Sequence, residues 1–480
     1  MDDYHQSKVV IIGGGPSGLG AALTLAKKGY KEIVILEKRP SADYYEPDKS
    51  FSYQIDGRGQ KLTDFLDLSD KLAELSVPST EFYFTLIKKD GSRKTSKLPI
   101  ADSSRKTAYW LPRASFVRLL YEEIAENWQD SIQVLFQTQC SKIELDGDRL
   151  KIIACQDETK FTFTPRLVIG CDGLNSIVRQ TLHQWEKGTH RFAMQQYDSP
   201  SAGLKYKVLT LPAQFPLSEL EEDRSESTMA YGIRSTFKER NHAISLGLLP
   251  LKNPQQPRTA NIITYPDHQI WQLETSEALS DYFQEAFPQI PLEKIISPSE
   301  IARFLASKGG SFPLPQYCSG LYRIWGQPDD NNGTAVILFG DAVHCFPPDI
   351  GQGVNSALED VYLFHETLAE TEDKLSQALP RYQNLRQADI KALIRLVQIS
   401  YPWQYNQNPL QKRLWSINFL LRLVLNRLFP FLFAPHSFIL IQQHELSYSE
   451  ILAKSDRTTR LLVILSVAIT LALLQVWKII

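Results

Sequence analysis

The sequence predicts an α/β fold: a Rossmann-type, three-layer body, an inserted lobe of mixed β-sheet, and a C-terminal helical tail. Three observations carry this. Short apolar runs end in glycine-rich turns at residues 13–18, 170–173 and 340–353. Strand-like runs separated by polar turns fill residues 185–325, and from Leu410 onward the chain turns apolar and basic. With 480 residues, 43% hydrophobic and 22% charged, it has the composition of a globular protein and length for two or three lobes.

Residues 8–12 (KVVII) form a short buried-strand run that stops at Gly13. Residues 19–28 have helical period and stop at Gly29, and 33–36 form a second strand ending at Glu37. Residues 79–99 alternate around Lys89-Asp90-Gly91 and read as a hairpin. A helix over 112–128 precedes strands at 132–135, 140–145, 150–155 and 159–164, then a buried strand at 167–169. The inserted lobe carries strands at 203–211, 228–234, 243–249 and 260–265. A buried strand returns at 335–339, followed by helices over 353–370 and 381–401. The expected division is a discontinuous dinucleotide-binding body (1–76, 112–184, 316–400), a substrate-binding sheet lobe (77–111, 185–315), a membrane-interfacial helical segment (401–455) and a transmembrane anchor (456–480). The anchor rests on residues 461–477, an uncharged apolar run flanked by Arg457, Arg460 and Lys478. A buried terminal helix is the competing reading.

The formal net charge is -2, which gives no global field for nucleic acid. The five cysteines show no CxxC spacing, so neither a metal site nor a disulfide framework is expected, and a reducing compartment fits. Residues 1–8 are polar, without the apolar stretch of a secretory signal.

The first glycine cluster follows a strand and opens a helix. Gly13 permits the tight turn, Gly15 lets a pyrophosphate approach the backbone, and Gly18 lets helix and strand pack closely. Glu37, 24 residues after Gly13, is placed to accept from ribose hydroxyls, which suits FAD or NAD rather than NADP. The second cluster contains Asp172-Gly173 after a strand. In the third, Gly340-Asp341 ends a buried strand, so Asp341 can bond a ribityl hydroxyl. Pro347-Pro348 stiffens the following loop, and Gly351-Gln352-Gly353 offers backbone N–H groups to the edge of a reduced flavin. Asp349 reads as a turn acid or as a polar group near the reacting centre. His344 is expected to pack or bond near this loop, with Cys171 and Cys345 as small fillers. Trp403 and Tyr405 line a pocket or simply pack.

These motifs, in this order, resemble the group A flavoprotein aromatic hydroxylases, the family of para-hydroxybenzoate hydroxylase, whose FAD domain is glutathione reductase-like. Within it the nearest similarity is to kynurenine 3-monooxygenases, through Gly57-Arg58-Gly59-Gln60, Pro112-Arg113, and Gly351-Gln352-Gly353-Val354-Asn355 with Glu359-Asp360. The resemblance implies FAD as cofactor, NADPH or NADH as transient co-substrate, and O2. It implies hydroxylation or epoxidation through a flavin C4a-hydroperoxide. Cofactor contacts would come from Gly13, Gly15, Gly18, Glu37, Arg113, Asp172, Gly173, Gly340, Asp341, Val354 and Asn355; Pro348, Gly351, Gln352 and Gly353 would lie at the reacting ring. The stretch 79–86 lacks the family's basic carboxylate clamp, and residues 98–100 lack its tyrosine. Phe82, Tyr83 and Phe84 stand there instead, so an aromatic or lipophilic substrate is expected, with the catalytic body on the cytoplasmic face of a membrane. The alternatives are a membrane-bound flavin reductase of polyprenyl groups and a non-catalytic flavin-binding protein.

Overall fold

The computed structural model describes residues 8–46, 50–97, 106–186 and 188–479. The apolar runs assemble a six-stranded sheet in the order Tyr322–Gln327, Asn332–Leu338, Leu167–Gly170, Val9–Ile12, Ile33–Leu36, Ile132–Leu135. Neighbours are parallel except at the Tyr322–Gln327 edge. Every residue of three of the four inner strands, Leu167–Gly170, Val9–Ile12 and Ile33–Leu36, is buried, as parallel strands covered on both faces require. Val9 pairs with both Leu167 and Ile33, and Leu167 with Ala335, so these strands finish level. Their glycine turns therefore meet along one edge, where ligands bind in open α/β sheets.

The helices Pro16–Lys27, Arg113–Glu123 and Gly353–Glu370, the parallel sheet, and the antiparallel meander Gln139–Asp146, Arg149–Gln156, Thr159–Phe163 share one hydrophobic core. A seven-stranded sheet forms a second lobe. The hairpin Tyr83–Ile87 and Arg93–Lys97 joins Ala230–Arg234, Ser245–Leu248, Arg258–Thr264, Lys205–Leu211 and Gly310–Ser311. A separate core, including Leu209, Phe215, Leu246, Phe283 and Phe304, backs this sheet with the helices Ser276–Ala286 and Pro298–Ala306.

Two tail features differ from the sequence expectation. The helix expected from Arg381 begins at Leu375 and runs to Ser400 with Pro380 inside it. Burial of Leu375, Ala378 and Leu379 offsets the proline's lost hydrogen bond. The break expected at residue 456 is absent, because one helix runs Tyr448–Ile479. Its first turn is core, with Tyr448 and Ile451 fully buried, while Val463, Ile464, Ile469 and Leu473 are each more than half exposed. This helix is long and apolar enough to cross a membrane. The preceding helix Pro409–Leu428 buries only Arg422 and exposes Leu410, Ile417, Leu420 and Leu428. Residues 1–7 and 98–100, read above as a signal-free start and a strand end, lie outside the described residues.

Candidate active site

The three glycine clusters touch. Gly13 has φ +105°, and a Cβ there would overlap the Cys171 carbonyl of the second cluster. A Cβ on Gly18 would overlap the Gly13 carbonyl, while a Cβ on Gly340 would press on Ser17 and Ala357. First and second clusters are thus packed backbone to backbone, and the third sits on the first helix. In contrast, a Cβ at Gly15, Gly173, Gly351 or Gly353 would meet nothing within 4 Å. These four positions border open space, a cradle of the kind a dinucleotide's pyrophosphate and flavin ring need.

Around the cradle, Glu37 is nearly closed off. Its Oε2 accepts from the Gly14 N–H at 2.7 Å, and its Oε1 accepts from the Arg39 N–H at 2.8 Å and Arg39 Nε at 3.0 Å. Burial opposes the charge, but the Arg39 and Gly14 bonds win and hold the carboxyl below its usual range. The ribose expectation therefore narrows to the lone pairs these bonds leave. Arg113 starts its helix beside the strands Ser52–Ile55 and Tyr109–Pro112, and its Nη1 lies 3.9 Å from Glu46. Asp341 is exposed. The surrounding protein pushes its carboxyl up, against the pull of His344 and Arg113. Asp172 caps the helix Ile177–Trp185, accepting from the Ile177 N–H at 2.6 Å, while its Oδ1 is buried without a partner.

The loop carrying Pro348, Gly351, Gln352 and Gly353 is held from beneath. Asn355, expected at the cofactor, has its side-chain amide bonded to protein. It donates to Gln54 O at 2.8 Å and Gly351 O at 3.1 Å, and accepts from the Asp56 N–H at 3.0 Å. Gly59 is glycine because a Cβ would overlap Asn355 Oδ1. Val354 is half-buried beside it. Gln352 donates to Asp56 Oδ2 and accepts from Tyr448 Oη, both at 2.7 Å. Asp56 also caps the helix Gly57–Phe65, accepting from the Arg58 N–H at 2.9 Å. No side chain caps the start of Gly353–Glu370, so its first-turn amides remain for an anionic edge.

Behind the loop lies a buried ion network. Arg58 bonds Glu359 Oε1 at 2.6 Å and stacks over the Tyr448 ring at 4.1 Å. Arg386 bonds Asp360 Oδ1 at 2.6 Å, Glu359 Oε2 at 2.8 Å and Ser356 O at 2.9 Å. Asp360 Oδ2 takes the Gly340 N–H and pairs with His344 Nε2, both at 2.8 Å. His344 is thus a structural partner, as expected. Arg386, Tyr448, Asp56 and Arg39 escaped sequence reasoning. The adjacent acids Glu359-Asp360 on an apolar helix were the available signal that a buried cation must exist. The three aromatics that stand in place of the clamp diverge: Phe82 packs on Trp110 at 5.3 Å, Tyr83 is exposed, and Phe84 covers Gly232. Alternating strand residues point to opposite faces.

A model of the FAD binding domain family matches residues 6–270 and 329–397, well over half of the chain. The chain belongs to this family. Its relatives include violacein synthase of Chromobacterium violaceum, 25% identical over 84% of this chain and 87% of the relative. Kynurenine 3-monooxygenase of Salinispora arenicola is 23% identical over 98% of this chain and 95% of that protein. Among solved structures, aklavinone-11 hydroxylase with FAD and aklavinone superposes with TM-score 0.59 at 16% identity, covering 84% of this chain and 70% of that one. Pseudomonas aeruginosa PqsL with 2-aminobenzoylacetate gives 0.52 at 18% identity, covering 83% and 97%. These structural likenesses speak to the fold. With the family and its curated members, the chain is an FAD-dependent monooxygenase, for which NAD(P)H is the usual co-substrate.

Proposed function

We propose that this monooxygenase uses NAD(P)H and O2 to hydroxylate or epoxidise an aromatic or lipophilic substrate held between the 348–353 loop and the seven-stranded lobe. The observation that carries it is the contact of all three glycine clusters around one open cradle. Bound FAD supplies acceptance of reducing equivalents from NAD(P)H and activation of O2. Gly15 and the start of Pro16–Lys27 receive the pyrophosphate. Glu37, Arg39, Arg113, Asp172 and Asp341 line the rest of the cofactor, with Gly173 and Gly340 giving it room. The amides at Gly351–Gly353 favour negative charge at the ring edge. Asp56, Asn355 and Tyr448 keep that loop in place. We assign 1–76, 112–184 and 316–400 to the cofactor body and 77–111 with 185–315 to substrate binding.

We further propose that the tail binds a membrane, with the helix Pro409–Leu428 lying on the surface and the end of Tyr448–Ile479 inserted. Arg457 and Arg460 on the body side of the apolar run support a cytoplasmic body. The test is NADH and NADPH oxidation with O2 uptake by protein purified in mild detergent, given kynurenine and a panel of lipophilic phenols, quinones and polyenes. Ligand-stimulated oxidation with an oxygenated product is expected. A yellow protein that oxidises NAD(P)H without taking up O2 would move the assignment to a reductase.

A further inference from the structure

The loop 348–353 has a second polar side chain with different neighbours. Asp349 is 3% exposed. Its Oδ1 accepts from Gln404 Nε2 at 3.2 Å, and its Oδ2 is buried with no hydrogen bond. The Ser201 hydroxyl is close enough to favour the charged form slightly, yet its own bond goes to Pro402 O at 3.4 Å. Gln407 in turn donates to Ser201 Oγ at 2.9 Å. An aromatic wall stands beside these groups, with Tyr405 on Phe312 at 5.6 Å and Phe312 on Tyr206 at 5.5 Å. The flavin loop, the entry to the sheet lobe and the 401–407 segment therefore converge on one unsatisfied carboxyl oxygen. Lys412 reaches this region from the next helix, but its ammonium goes to Asn406 Oδ1 at 2.6 Å and Gln404 O at 3.4 Å.

Resting on the monooxygenase reading above, we infer that Asp349 is a specificity-determining residue whose free Oδ2 accepts an O–H or N–H of the substrate, so that neutral donor-bearing aromatics bind and aromatic carboxylates are rejected. A buried carboxyl oxygen without a donor is costly, and a substrate donor satisfies it. A second carboxylate in the same recess would meet like charge with no cation among the residues bonded to Asp349. The absence of a basic residue in 79–86 agrees. Burial pushes the Asp349 carboxyl up to about 7, so the carboxylate that accepts such a donor and repels a second carboxylate is the form present above that pH.

The test uses the FAD-loaded full chain at about pH 8, where Asp349 is mostly charged, and flavin visible difference spectra with three probes: 2-naphthol, 2-methoxynaphthalene and 2-naphthoate. Wild type is expected to bind 2-naphthol about ten-fold more tightly than either other probe, the size of one charge-assisted hydrogen bond. Asp349→Asn is expected to retain FAD and to shrink the 2-naphthol over 2-naphthoate preference to about two-fold or less. No 2-naphthol binding, no preference in wild type, or an unchanged preference in the variant overturns the inference. The wild-type order alone decides if the variant fails to hold FAD. A wild-type preference without O2-coupled NAD(P)H oxidation would instead sink the monooxygenase reading and leave the donor site standing.

Discussion

The two sides of the flavin loop are built differently. On one side Gln352 enters a buried network in which Asp56, Arg58, Glu359, Asp360, Arg386 and Tyr448 are hydrogen-bonded to one another or to backbone. On the other side Asp349 ends in an unpaired oxygen beside half-filled partners. Every charge in that network has an opposite charge beside it, although Arg58 Nε and His344 Nδ1 lack partners, and removing a member exposes the charges it neutralised. Asp349 has no opposite charge bonded to it, and only Gln404 holds its carboxyl. The loop is thus anchored on one face and receptive on the other.

The largest test breaks the anchored side. Arg386→Met removes the buried cation that Glu359 and Asp360 share, leaving Glu359 to Arg58 and Asp360 to His344, which costs about 3–5 kcal/mol. We expect FAD loss and a lower melting temperature, read by flavin release on heating. Burial raises the Asp360 carboxyl, but the charges of His344 and Arg386 outweigh it and hold it below its usual range. Stability from Asp360 is therefore present above the unfolded pKa and lost as pH falls through the lower folded pKa. In the variant that acid-side loss moves to higher pH. An unchanged acid melt would remove Arg386 from the network's energetics.

The receptive side has the opposite sign. Burial raises Asp349 to about 7, with Ser201 and Gln404 pulling weakly the other way and Tyr405 the titratable neighbour. The native state then binds the extra proton between roughly pH 4 and 7, so stability falls as pH rises through that window. Asp349→Asn is expected to flatten the decline, gaining a few kcal/mol over wild type by pH 8. Melting curves at pH 4, 6 and 8 decide; parallel curves would place the Asp349 carboxylate in a solvated site. Between these effects and the smallest one lies Gly15→Ala. Its Cβ meets no protein atom, so folding should survive while FAD affinity drops about ten-fold or more. Equal FAD binding would show that the cofactor does not approach this turn.

Much of this was legible in the sequence because it depends on local chemistry. Gly13 and Gly18 are forced by backbone approach and Gly340 by its φ of +60°, and strand-turn-helix order shows where such turns occur. The fully buried apolar runs read as parallel strands for the same reason. The anchors were not legible. Arg386 lies 26 residues from Asp360, and Tyr448 lies 96 residues from Gln352. Pairing at such distance is decided by tertiary packing, which leaves no spacing rule. The Asn355 side chain was likewise not legible: the family resemblance suggested a cofactor contact, while its amide matches three backbone groups of the protein.

The smallest test asks how far the tail belongs to the site. Tyr448 sits in the first turn of the helix that later carries the exposed apolar run, yet its hydroxyl donates to Gln352 in the flavin loop. Tyr448→Phe keeps the ring under Arg58 and deletes only that bond, leaving Gln352 Oε1 buried and unpaired, a cost of about 1–2 kcal/mol. Overall melting should shift little. The loop should loosen, seen as increased flavin fluorescence and a lower product yield per NAD(P)H at unchanged FAD content. Truncation after Arg460 removes the exposed apolar run and keeps Tyr448, so it should release the protein from membranes without this loss of coupling. If truncation and Tyr448→Phe behave alike, the anchor and the flavin loop act as one unit. If they separate, the helix joins two independent jobs end to end: a docked first turn that braces the loop, and an apolar remainder that meets lipid.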